Sequence, residues 1–210
     1  MARRTIKLYS DYKSPYAYLA KDLAYELERE TGVQLDWLPF TLDIPAYLGS
    51  AKVDAQGRVS EESRNAHQWR RVKYSYMDCR REANRRGLTI RGPRKIFDSS
   101  LVNIGMLYAK RQGVFRDYHD RVFERFWKRE LDIESPAALA AVMRDCGADA
   151  AAFSTFLENE GQTELQDIRR EAEAAGVFGV PSFMLEGGDL YWGREHLPRI
   201  SELLALSATA

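Results

Sequence analysis

Residues 14–17, Ser14-Pro15-Tyr16-Ala17, stand where a redox-active turn would carry a cysteine at each end. Neither sulfur is present. A disulfide exchanger needs two, one to attack and one to resolve, so dithiol oxidoreductase chemistry at this turn is excluded. What remains is a hydroxyl at a helix start. The first turn of a helix exposes unpaired N–H donors and carries roughly half a positive charge. A thiolate placed there is stabilised, and its pKa falls below the free value of about 8.5. With no cysteine of its own at the turn, the chain would hold the thiol of a bound molecule, and Ser14 would donate to that sulfur rather than attack anything itself. Taken alone, Ser-Pro is also an ordinary N-cap followed by a first-turn proline. Lys13 adds a cation beside Ser14 that would help a thiolate if its side chain points inward.

Other reactive residue types are sparse. Cys79 falls on an apolar helical stripe and Cys146 at a helix end, so both read as packing residues, without metal-type partners nearby. His67 and His119 lack the partner spacing of a metal site or a triad and read as solvent-facing or core-edge residues. Between Arg58 and Lys95 the chain has twelve Lys/Arg against four Asp/Glu, although its formal net charge is zero. That stretch is either a solvated helix face or a positive wall steering an anionic small ligand. The zero net charge argues against nucleic acid or a membrane as partner. The aromatic and charged segment at 115–130 places its rings mostly on one helical face, which favours core or dimer contact over nucleic acid. No stretch approaches the roughly 18 apolar residues of a membrane span. "IKLYS" is too short for a signal-peptide core, and "LSATA" carries no recognisable address. Two distant cysteines suit a reducing compartment, and the expectation is a soluble, cytoplasmic protein.

The elements that must position Ser14 follow from periodicity. Residues 5–10 read as a strand. Residues 15–30 carry Tyr16, Leu19, Ala20, Leu23 and Leu27 at helical spacing, with Gly32 as the stop. Val33, Leu35 and Trp37 then alternate with polar residues up to Pro39, which makes a second strand and a βαβ opening. The middle is helical. Its expected segments are 61–86 closed by Gly87, a helix capped by Ser99 or Ser100 and ended by Gly113, and 115–129. Further helices open at Ser135-Pro136 and at Asp149, and Thr163 with Gln166 suggests a capping box for a helix reaching Ala175. Two short apolar runs around Gly187-Gly188 predict a hairpin with a two-residue turn, and 194–206 a final amphipathic helix. The expected architecture is a small α/β domain, 1–42 and 162–210, interrupted by a helical insertion, 43–161.

That order is similar to a thioredoxin-type fold with a helical insertion, and two segments make the likeness specific. One is Asp11-x-x-Ser14-Pro15-Tyr16; the other is "GVFGVPSF", with Val180-Pro181 before the hairpin and Trp192-Gly193 after it. Together they resemble the DsbA-like superfamily and, within it, the 2-hydroxychromene-2-carboxylate isomerases and kappa-class glutathione transferases, along nearly the whole chain. The resemblance implies a thioredoxin-like domain (βαβ…ββα) with an all-helical insertion. It implies a cis Val180-Pro181 bond facing the first helix, and a Val180 backbone that pairs with a bound peptide. It implies glutathione as cofactor with no metal, its sulfur held by Ser14 and its remainder by Val180, Pro181, Glu195 and one of Arg71 and Lys73. Tyr16, Trp192 and Lys13 would then face a small-molecule substrate. The thiolate would add to a conjugated enone, allow rotation and leave again; in the transferase version it would add and stay. A thioredoxin-like binding module without catalysis is the other reading, and a homodimer is expected from the aromatic insertion. Two departures are visible. Arg71 replaces the family's Lys ahead of Tyr74 and Asp78, with Asn65 a poor counterpart of the family's Asn, and Glu195-His196 stands where the family has Asp and Arg.

Overall fold

The structure, a computed structural model, describes residues 4–206; the first three and last four residues, on which the reading of the chain ends partly rests, lie outside the described residues. Strand β1 (Thr5–Ser10) runs parallel to β2 (Gln34–Pro39), with helix α1 (Pro15–Thr31) crossing between them. After the insertion, β5 (Ser182–Met184) pairs antiparallel with β1, and β6 (Leu190–Trp192) with β5, giving the order β2-β1-β5-β6. Leu8 lies at the centre of this sheet, paired with Trp37 on one side and Phe183 on the other, and is fully buried. Helix α1 begins at Pro15 because Ser14 caps it, and ends where Gly32 takes a φ of 70° and bonds back to Glu28. This is the α/β thioredoxin-like core expected from the sequence, with helices inserted between β2 and β5.

The insertion holds α2 (Ile44–Leu48), α3 (Ala66–Arg85), α4 (Ser100–Arg111), α5 (Phe115–Trp127), α6 (Pro136–Asp145) and α7 (Ala150–Glu158), followed by α8 (Glu160–Ala174). Helix α9 (Leu197–Leu206) closes the chain and packs on α1, while α4 and α8 pack on each other and on β2. Helix α5 locks the insertion to the core. Tyr18 of α1 stacks on Phe123 at 5.3 Å and on Trp127, and Tyr12 meets Phe123 at 4.8 Å. Truncating a buried ring of this kind costs about 3–5 kcal/mol, so these contacts fix α1 against the insertion. The aromatic face of residues 115–127 is therefore core. Helices α4 and α5 approach so closely that a Cβ on Gly105 would come within 2.0 Å of the Tyr118 hydroxyl, which donates to Val102 O at 2.9 Å.

Several local expectations are corrected. Helix α3 starts at Ala66, not near residue 61, because Asn65 and Gln68 form a reciprocal capping box there. The residues before it, Val59–Glu62 (β4), pair with Ala51–Val53 (β3) in a small hairpin. The Thr163–Gln166 pair is not a cap: α8 already begins at Glu160, so both lie inside the helix. The β5–β6 loop is longer than two residues. Leu185 N–H bonds Asp189 O, and Gly188 N–H returns to Leu185 O, leaving residues 186–188 in the loop with Gly188 at φ 88°. His119 is not at the core edge. It is fully buried, its Nδ1 lies 2.9 Å from the Tyr12 hydroxyl, and it sits among Trp37, Phe115 and Phe123. Burial holds it well below the usual imidazole pKa, with Lys21 and Arg116 acting in the same direction. No helix among the described residues is long and apolar enough to cross a membrane.

Candidate active site

The N-terminus of α1 opens into a cleft of about 1160 Å³ between the core and the insertion. Ser14 is only 4% exposed. Its Oγ accepts the Ala17 N–H at 3.2 Å, and its own N–H donates to Asp11 O at 3.0 Å. The hydroxyl is thus oriented by its acceptor side, which leaves its proton to donate elsewhere. Pro15 has no N–H to lose at the first helical position.

Behind Ser14 lies a buried polar cluster that organises the turn. Asp11 is fully buried; its Oδ2 accepts the Leu42 N–H at 2.8 Å, and its Oδ1 faces the Asn103 amide at 3.4 Å. Asn103 also donates to Thr41 Oγ1 at 2.8 Å. Burial pushes the Asp11 carboxyl above its usual range, and Lys13 is the largest opposing influence. The Lys13 ammonium stands 3.9 Å from Asp11 Oδ2. Lys13 lines the cleft, but its charge is mainly the counter-ion of Asp11.

The same cleft gathers every residue that the sequence singled out for the site: Lys13, Ser14, Tyr16, Arg71, Lys73, Val180, Pro181, Trp192 and Glu195. The Val180-Pro181 peptide is cis. Pro181 O accepts the Gly193 N–H at 2.9 Å, which ties this loop to β6, and the Ser182 hydroxyl donates to Gly179 O at 2.7 Å. The N–H and C=O of Val180 have no partner among the described residues. Gly179 is glycine for a visible reason: a Cβ there would stand 2.8 Å from Trp192 Nε1. The Trp192 indole, 51% exposed, covers this loop and meets the Phe178 ring at 5.0 Å. The Glu195 carboxylate folds back over Gly193, where a Cβ would come to 2.4 Å from Oε1.

Tyr16 donates to Asp78 Oδ2 at 3.4 Å, under the Arg194 guanidinium at 5.7 Å from its ring centre. Burial pushes its hydroxyl up to about 12, with Cys79 and Asp78 adding. Cys79 is fully buried beside it, and burial raises its thiol to about 12 as well. It stays protonated at neutral pH, as a packing residue does. Cys146 is raised too, again mainly by burial. Arg71 and Lys73 are exposed on α3, and neither has a carboxylate within ion-pair distance among the described residues. His67 is exposed. Among the described residues no three His, Cys, Asp or Glu side chains are grouped to hold a metal ion.

Several cleft residues escaped the sequence reading. Tyr76, Arg80, Arg94, Arg129 and Arg194 all line it. Asn103 had a local signal, being an amide on the otherwise apolar run of α4. Arg129 had none, since its position depends on how α5 ends against the loop after α3.

Residues 5–205 match the family described as the DSBA-like thioredoxin domain, and the chain belongs to that family. It is 29% identical over 202 residues to the 2-hydroxychromene-2-carboxylate isomerase of Sphingobium xenophagum, covering 96% of this chain and 98% of that protein. A solved structure of a 2-hydroxychromene-2-carboxylate isomerase is similar in fold, with a TM-score of 0.75, 24% identity, and coverage of 97% of this chain and 96% of the other. The cytosolic disulfide reductase DsbM from Pseudomonas aeruginosa, solved with GSH, shares the fold at a TM-score of 0.66 and 18% identity, covering 98% of each chain.

Proposed function

We propose that this DsbA-like protein is a glutathione-dependent isomerase of a conjugated or aromatic, carboxylated small molecule. One observation carries the reading. A hydroxyl with an uncommitted proton, Ser14, caps α1 in the same cleft as a backbone edge, Val180, whose polar groups have no partner. A buried edge without partners is costly unless a ligand or water completes it, and an extended peptide does so by strand-like pairing.

The donor set fits glutathione. Val180 offers its N–H and C=O to the cysteinyl backbone, and Ser14 offers its proton to the sulfur. Arg71 or Lys73 meets a carboxylate, and Glu195, at the rim beside Gly193, meets the ammonium end. When bound, glutathione supplies a thiolate able to add reversibly to a conjugated double bond and release it after rotation. Everything else falls to the chain. Ser14 and the α1 N-terminus hold the negative charge. Tyr16 keeps its proton, since its hydroxyl is raised to about 12, and donates it to Asp78 at the cleft wall. Phe178 and Trp192 pack together as an exposed aromatic rim of the cleft. The similarity to isomerases over 96% of the chain supports isomerisation ahead of transfer.

The test is calorimetric titration with glutathione and with S-methylglutathione. Binding of glutathione that weakens when sulfur is methylated, and weakens in Ser14→Ala, is the expected result. No heat at millimolar glutathione, or identical isotherms for both ligands and both proteins, would sink the proposal.

A further inference from the structure

The cleft extends beyond the thiol site to a second group of cations, where α3, the loop after it and the end of α5 meet. Arg129 follows α5 in a left-handed backbone conformation, φ 63°, the one described non-glycine residue with positive φ. Its guanidinium donates to Gly92 O through Nε at 2.9 Å and through Nη2. Arg80 reaches the same residue from α3: a Cβ on Gly92 would stand 3.4 Å from its Nη2 and 3.6 Å from the Tyr76 ring. Arg94 is two residues further along the loop. Two guanidinium groups therefore converge on one glycine beside the Tyr76 ring, and Arg94 lines the same cleft.

None of Arg80, Arg94 and Arg129 has a carboxylate within 4 Å among the described residues. Arg111 pairs with Glu160 and Glu164, and Arg116 with Glu28, whereas Arg80, Arg94 and Arg129, like Arg71 and Lys73 in the same cleft, have no such pair among the described residues. The charges that Arg129 feels are Arg94, Arg91 and Arg80, all repulsive, besides the Tyr76 hydroxyl. Held cations with no counter-ion, one of them in a disfavoured backbone conformation, are the pattern expected when the compensating charge belongs to a ligand. The wall beside them is aromatic: Phe97 and Phe126, edge to face at 5.5 Å, line the same cleft.

We propose that Arg80, Arg94 and Arg129, with the Tyr76 hydroxyl, form an oxyanion subsite that takes the carboxylate of the co-substrate, whose conjugated or aromatic frame lies along Phe97 and Phe126. It is distinct from Arg71 and Lys73, which the thiol reading assigns to glutathione, and it deepens that reading by giving the second reactant its own anchor. Burial raises the Tyr76 hydroxyl to about 12, with Arg64, Arg80 and Arg129 opposing, so it is a neutral donor at physiological pH. Three guanidinium groups and a hydroxyl match a planar carboxylate better than a point charge would.

The probe is cinnamate, with neutral cinnamamide as control, titrated without glutathione and followed by nuclear magnetic resonance of the aromatic side chains. Wild type is expected to bind cinnamate and discriminate against the amide. Arg80→Gln and Arg129→Gly are each expected to weaken cinnamate about tenfold, the effect of losing one charge-assisted bond, and to leave glutathione binding unchanged. Arg129→Gly keeps the left-handed backbone at no steric cost, so loss of binding without loss of the folded state separates recognition from stability. Equal affinity for acid and amide, or unchanged cinnamate affinity in both variants, would overturn the subsite. If glutathione fails to bind wild type while cinnamate binding still depends on Arg80 and Arg129, the subsite stands and the thiol reading falls.

Discussion

Replacing Ser14 tests two roles with one side chain, and they separate in magnitude. As N-cap, its Oγ accepts the Ala17 N–H at 3.2 Å, the long end of hydrogen-bond geometry. Losing such a cap to alanine costs about 1 kcal/mol, whereas glycine at the same place costs only a few tenths. In a chain of this size about 1 kcal/mol corresponds to a melting point lower by about 2–4 °C. As donor to a bound thiolate, the hydroxyl makes a hydrogen bond to a charged group, worth about 1.5–3 kcal/mol. That bond favours only the ionised sulfur, so its loss should raise the bound thiol's pKa by about 1–2 units. Ser14→Ala should therefore melt lower and bind a less acidic thiol. Ser14→Gly should melt close to wild type yet show the same rise in thiol pKa, and Ser14→Thr should retain both properties. The assay is ultraviolet absorbance of the thiolate across a pH titration of the saturated complex, beside thermal melts of the free proteins. A thiol pKa that is the same in wild type, Ser14→Ala and Ser14→Gly would refute the donor role and leave Ser14 a cap.

Two further outcomes follow from the packing around the turn. Gly105→Ala drives a Cβ into the Tyr118 hydroxyl at 2.0 Å and should destabilise by about 3 kcal/mol, the upper end of overpacking, measured by urea denaturation; wild-type stability would mean that α4 and α5 can part there freely. Asp11 has a carboxyl pKa raised by burial, so between its unfolded value of about 3.9 and its raised folded value the native state binds more protons than the unfolded one. Wild-type stability should fall with rising pH through that window and Asp11→Asn should flatten the fall; parallel stability–pH curves would contradict it.

What the sequence showed depended on how local the cause was. Strand β1, helix α1 and its glycine stop were readable because Ser14, Pro15 and Gly32 act on their own neighbours. The Val180-Pro181 loop was readable only through its ordered company, and the structure supplies the cause for Gly179 in the Trp192 indole above it. The hairpin of β3 and β4 was missed because all four residues of β4 are exposed and carry no apolar alternation to count. His119 was misplaced for another reason: Phe115 and Phe123 flank it at i−4 and i+4 on α5, but Tyr12 and Trp37, which close over it, come from other segments and no spacing within the helix announces them. The Arg129 cluster belongs to the same class, since the end of α5 and the loop at Gly92 meet only in three dimensions.

The balance of charge at the turn explains how it could favour a thiolate without any cysteine. Asp11 alone would oppose an anion at Ser14, being a buried carboxyl one short turn away. Lys13 stands against it at 3.9 Å, so the pair contributes little net field at the sulfur position. Lys13 is thereby mainly occupied in cancelling Asp11. What remains to hold a thiolate is the helix end, worth about 0.3–1 kcal/mol at an exposed terminus and up to about 2 in partly buried geometry, and the Ser14 hydroxyl at about 1.5–3 kcal/mol. The hydroxyl is the larger contribution, and it is the one that a cysteine at position 14 would replace. A turn of this kind with serine in place of its sulfur therefore keeps the smaller helix-end contribution and gains the larger one, the hydroxyl, for a sulfur that another molecule brings.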